Sequence, residues 1–139
     1  LNLLNLKLEK VDSWDCPKIT VNWSKIKANP SFWHSIKALQ PYQGQKFDAF
    51  LTAIPENYKE IRRMNLVEVE WPDKPLFVSD DKANWMIENG YDTIVDDKPS
   101  TIRECIHKGL NAIQFYPYYA NWEKVDGARI IYDLRELNL

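Results

Sequence analysis

Glycine is scarce, with four residues in 139, at Gly44, Gly90, Gly109 and Gly127. That excludes a GxxxxGK[ST] loop and a GxGxxG turn, both of which need closely spaced glycines so that backbone can approach a phosphate. Cysteine and histidine are scarcer still, with two of each. Cys16 and Cys105 lie far apart with no CxxC and no paired His nearby, which excludes zinc and thioredoxin-type chemistry on spacing. Both are read as free, mostly buried thiols. His34 and His107 stand outside any HExxH or Ser-His-Asp context and are read as structural or surface residues. Neither sign of charge dominates: 18 Lys and Arg face 20 Asp and Glu, the formal charge is −2, and no basic stripe exists to track phosphates, so no nucleic-acid partner is expected. No apolar run approaches the roughly 18 residues of a membrane helix. The Leu-rich start (Leu1, Leu3, Leu4, Leu6, Leu8) is broken by Asn and Lys and lacks a cleavage region. A soluble protein of cytoplasmic type is expected, with no membrane partner. The chain opens on Leu rather than Met, which suggests that upstream residues have been processed off or left out. Asn22-Trp23-Ser24 matches a glycosylation sequon and is read as chance.

What the chain has is apolar and aromatic bulk: 45% apolar residues, with six Trp, seven Tyr and five Phe. A single domain of this length buries roughly 68% of the surface its unfolded chain exposes, enough for a core and a cleft without disulfides. From Phe47 onward, short apolar runs alternate with helix-like segments. The apolar runs Phe47 to Ile54, Leu76 to Ser79, Thr93 to Val95, Ala112 to Tyr116 and Ala128 to Leu134 read as strands, the first of them covered on both faces. Between them, PENYKEIRRM from Pro55, Asp81 to Asn89 stopped by Gly90, and Ser100 to Lys108 stopped by Gly109 read as helices. Strands alternating with short helices predict an α/β fold: a three-layer sandwich on a mostly parallel, Rossmannoid sheet. Residues 1–30 read as a separate N-terminal part, with Leu4 to Val11 alternating like a half-exposed strand and Trp14 to Pro30 a loop or small cap. The core is expected over residues 31–139, opened by a short helix from Ser31 to Leu39 whose Phe32, Ile36 and Leu39 share one face.

In a parallel sheet the ligand crevice lies at the carboxyl ends of the strands. Those ends carry Thr52, Lys82, and the pair Asp96 and Asp97. A hydroxyl and an ammonium suit phosphate oxygens, and paired carboxylates suit a hard cation such as magnesium. The same residues have a blander reading: a strand-end threonine, a solvated lysine and an Asp-Asp-Lys-Pro helix cap.

LTAIPE at Leu51–Glu56, VSDDKANW at Val78–Trp85 and TIVDDKPSTI at Thr93–Ile102 resemble, in order, motifs II, III and IV of the haloacid-dehalogenase-like phosphohydrolases. The resemblance is strongest to the 5'(3')-deoxyribonucleotidase-type branch, where a helix beginning Phe-Trp precedes motif II, as Phe32-Trp33 does here. It runs over Ser31 to Leu139, including the YDLREL end. It implies that Thr52 and Lys82 bind the transferring phosphoryl group, that Asp96 and Asp97 supply magnesium ligands, and that the substrate is a phosphate monoester such as a deoxynucleoside monophosphate. In the family an aspartate attacks phosphorus and a second aspartate, two residues on, activates water against the acyl phosphate.

The chain departs from that pattern at motif I, Asp-x-Asp at the end of a central strand. No two Asp residues here are separated by one position; Asp12 and Asp15 come nearest, at a spacing of three. The nucleophile is therefore not found, and Asp96 and Asp97 alone are expected to hold magnesium weakly. A sheet lacking its central strand would leave backbone groups unpaired, so Leu4–Val11, another copy of the chain or a second polypeptide is expected to complete it. The implied activity is that of a nucleotidase-type phosphohydrolase domain incomplete or inactive by itself; the alternative is a non-catalytic domain of the same fold, retained for binding or structure.

Overall fold

A computed structural model describes residues 42–138. Leu4–Val11, the Ser31–Leu39 helix, Asp12, Asp15, Cys16 and His34 lie outside the described residues.

Strand β1 (Phe50–Thr52) leads through Pro55, whose ring fixes φ at −59°, into a 3-10 turn (Glu56–Tyr58) and helix α1 (Lys59–Glu68). The chain leaves α1 through Glu70, which takes a left-handed φ of 72°, and reaches β2 (Leu76–Val78). Asp81 then caps helix α2 (Lys82–Glu88), its side chain accepting the Asn84 N–H. At the far end Gly90 supplies the positive φ of 76° that releases the chain toward β3 (Thr93–Asp96). Helix α3 (Pro99–His107) begins on proline, where a missing N–H costs nothing, and is followed by β4 (Asn111–Phe115), β5 (Arg129–Ile131) and a 3-10 turn (Leu134–Asn138). Each expected strand and helix from Phe47 onward is therefore present, most of them within a few residues of the expected bounds. Among the described residues no helix is long and apolar enough to cross a membrane.

Among the described residues the strand pairings are parallel, as α/β alternation leads one to expect. β1 pairs with β2 in the register Phe50↔Leu76 to Thr52↔Val78, and β4 lies between β3 and β5 with Asp96 opposite Gln114 and Phe115 opposite Ile131. The fold is mixed α/β. Where the sequence predicts one sheet, the described residues form two, of two and three strands. On the β2 side of β1, Phe50 donates to Pro75 and Thr52 accepts from Ser79, and among the described residues β3 pairs with β4 alone.

One core nonetheless spans the break. Ala83 and Met86 of α2, Ile94 of β3, Ile102 and Cys105 of α3, Ala112 of β4 and Val125 are buried together, and Leu51 of β1 packs against them.

Candidate functional site

Thr52 and Asp96 are the last residues of their strands, and Lys82 is the first residue of α2. Local hydrogen bonding shapes the connection between them. Thr52 O accepts the Ser79 N–H at 2.9 Å, and the Asp81 N–H donates to Ser79 Oγ at 3.1 Å, so the turn that launches Lys82 is tied to the end of β1.

Lys82 and Asp96 meet. Lys82 Nζ donates to Asp96 Oδ2 at 2.6 Å, with side chains only 17% and 7% exposed. The other carboxylate oxygen, Oδ1, accepts the Lys98 N–H at 2.9 Å and so holds the turn into α3. Asp96 thus pairs with Lys82 through one oxygen and caps the turn into α3 with the other.

Asp97 is half-buried beside it. Burial, reinforced by the Asp96 charge and a hydrogen bond to Asp96, raises its carboxyl from 3.8 to about 7, while Lys82 pulls weakly the other way. Two adjacent carboxylates in poor solvent cannot both ionise cheaply, so Asp97 gives up its proton only near neutral pH. The site therefore holds an ammonium, a carboxylate and an acid poised near neutrality.

Two further groups belong to these surroundings. Burial, then the Asp96 charge, pushes the Cys105 thiol up to about 11, which keeps it protonated and unreactive. Cys105 is fully buried, and His107 is exposed. Tyr119, in the loop after β4, has its phenol raised by burial and then by the Asp97 charge. Neither Tyr119 nor Ser79 stands out in the sequence analysis; the signal for Tyr119 was the Tyr-Pro-Tyr-Tyr run directly after a strand.

Whether these residues fit magnesium follows from their donors. Both oxygens of Asp96 are engaged by protein hydrogens, and Asp97 is partly protonated at neutral pH. Among the described residues no group of three or more His, Cys, Asp or Glu side chains could hold a metal ion. The two carboxylates by themselves do not make a magnesium site. They hold a proton and the Lys82 ammonium.

The chain matches no family model, no curated protein and no solved structure.

Proposed function

We propose that this chain is a haloacid-dehalogenase-like phosphohydrolase domain of nucleotidase type, which receives a phosphate monoester such as a (deoxy)nucleoside monophosphate and lacks the nucleophile to turn it over alone. The observation that carries this reading is the 2.6 Å contact between Lys82 and Asp96, two residues fourteen positions apart in the sequence. Their order along the chain and the α/β frame around them support it. In this reading Lys82 offsets phosphate charge, the Thr52 hydroxyl orients one oxygen, and Asp97 gives or takes a proton near neutral pH. Magnesium would neutralise phosphate charge if a further ligand joined Asp96 and Asp97. That ligand, and the attacking carboxylate, would arrive on a strand from another copy of the chain or a second polypeptide.

A second reading, a binding or structural module of the same fold, is favoured by a different observation. Lys82 and Asp96 satisfy each other, and Asp96 also holds the start of α3, so the contact is fully accounted for as architecture. Titration with inorganic phosphate, followed at backbone amides, tests the shared premise. The expected result is shifts at Thr52 and Lys82, with no magnesium-dependent phosphate release from a deoxynucleoside monophosphate by the chain alone. Silence at both residues ends the phosphate reading. Turnover at about 1 per second, the ordinary enzyme range, would show that the chain has its own nucleophile.

A further inference from the structure

Asparagine is followed by glycine once in the chain, at Asn89-Gly90; elsewhere it precedes Leu, Trp, Pro, Tyr or Ala. The amide carbon of an asparagine is open to attack by the backbone nitrogen of the next residue, which closes a five-membered succinimide ring. A side chain on that next residue obstructs the approach, and glycine has none. Gly90 also has room around it: a Cβ at that position would meet nothing within 4 Å, and both residues are exposed.

The pair lies in the cap that ends α2. Asn89 is the C-cap residue, and Gly90 follows it at a φ of 76°. The Tyr91 N–H donates to Met86 O at 2.9 Å and the Gly90 N–H to Ile87 O at 3.3 Å, the two bonds of a Schellman motif. Asn89 Nδ2 donates to Trp85 O at 2.9 Å. The closed cap thus occupies both the attacking nitrogen and the leaving amide. Ring closure also requires Asn89 to turn about its Cα–C bond, away from its ψ of 5°. The reaction therefore waits for the last turn of α2 to open. A ring stack clamps that turn: Tyr91 lies on Trp85 with centroids 5.4 Å apart and planes at 22°. The helix itself is only seven residues long, and Ile87 and Glu88 of its last turn are exposed. Helix ends of this kind open locally at a small cost in free energy.

We propose that Asn89 is a modification site, which deamidates through a succinimide closed by the Gly90 nitrogen at a rate gated by the Tyr91–Trp85 stack. The Gly90 nitrogen gives its proton to solvent base and bonds to Asn89 Cγ; the Cγ–Nδ2 bond breaks, and ammonia leaves after taking a proton from solvent. Water then opens the ring at either carbonyl and leaves aspartate or isoaspartate. One water is consumed, one ammonia is released, and nothing is oxidised or reduced. Either product sets a carboxylate at the negative end of α2 and ends the donation to Trp85 O; isoaspartate also adds a carbon to the backbone of the cap.

The site is independent of the phosphate reading. The test is to age the full chain at pH 8 in water enriched in heavy oxygen, with and without urea, and to map the label by peptide mass. The expected result is that label enters at residue 89 before any other asparagine, and more slowly in the native chain than in urea. The modified native chain should melt about 2–5 °C lower. Tyr91→Leu, which removes the stack and keeps an apolar side chain against the core, speeds labelling of the native chain about two- to tenfold, as loss of an aromatic pair does. Tyr91→Phe, which keeps the stack, labels as the parent does. Should Tyr91→Leu fail to fold, the parent and Tyr91→Phe, each compared with its own rate in urea, still decide the matter. The proposal is overturned if another asparagine labels first, if residue 89 stays unlabelled in the native chain while it labels in urea, if the native and urea rates coincide, or if folded Tyr91→Leu labels no faster than the parent.

Discussion

In the three-stranded half of the molecule, Ile102, Cys105, Ile131 and Gln114 have no exposed surface, and the one buried polar group among them is satisfied at both ends. Gln114 Nε2 donates to Glu123 O and its Oε1 accepts the Val125 N–H, each at 2.8 Å, so the amide pins the loop that follows β4. In the two-stranded half, all three residues of β1 are only half-buried, and α1 buries Asn65, which accepts from Arg62, while Met64 and Val67 stay 51% and 44% exposed. Burial depresses the Arg62 guanidinium. One half thus closes a core with its own strands and helix, and the other buries Leu76 and Ile54 alongside Asn65 and packs on its neighbour through Leu51. Three strands with a covering helix suffice for independent closure; two do not.

If the Lys82–Asp96 pair joins these halves, breaking it should have the largest effect. Lys82→Ala leaves a nearly buried carboxylate unpaired, and the expected loss is about 3–5 kcal/mol in urea unfolding. Removing both charges together, as Lys82→Met with Asp96→Leu, should recover most of that loss. A single Lys82→Ala chain as stable as the parent would mean that the pair joins nothing.

A smaller effect should separate the two cores. Ile102→Ala, at a fully buried position of α3, is expected to cost about 2–5 kcal/mol, because a tightly packed site collapses poorly around the cavity. Leu51→Ala, at the half-buried joint, should cost distinctly less than Ile102→Ala in the same assay. Equal losses would show that the β1 half is as closed as its partner, against the contrast drawn from burial.

How much of this was legible in the sequence differs between the halves in the same way. Helix ends were readable because their signals are local: Gly90 and Gly109 supply positive φ, and Pro99 and Asp81 set starts. β1 was expected from Phe47 and forms only at Phe50, since Phe47 spends its ring on Phe50 and Trp71 in an aromatic cluster that strand propensity does not describe. Of the site, Lys82 and Asp96 were readable as strand-end residues, but their mutual contact was not, because it depends on how the turn after β2 meets the end of β3. The break between β1 and β3 is likewise a matter of edges and hydrogen-bond partners, which no single run of residues encodes. The burial of Gln45 was invisible for a related reason: it comes from tertiary packing that the residue's own polarity does not foretell.

The smallest expected effect lies in the pH dependence, at the crevice that both halves border. Asp97 titrates near 7 in the folded chain, against about 3.9 for an unfolded aspartate. Between those values the folded state binds more protons than the unfolded state. Stability therefore falls as pH rises from about 4 through about 7, and levels off above that range. Asp96, Lys82 and Tyr119 share the field of this group, and the Lys82 charge moderates the fall without reversing it. Asp97→Asn keeps an N–H to donate to Asp96 and removes the titration. The variant should match the parent near pH 5 and exceed it near pH 8 by about 1 kcal/mol or more, seen as roughly 3 °C or more in the thermal midpoint. Parallel midpoints for the two proteins from pH 5 to pH 8 would show that Asp97 ionises as an ordinary carboxylate, and the crevice would lose its acid poised near neutrality.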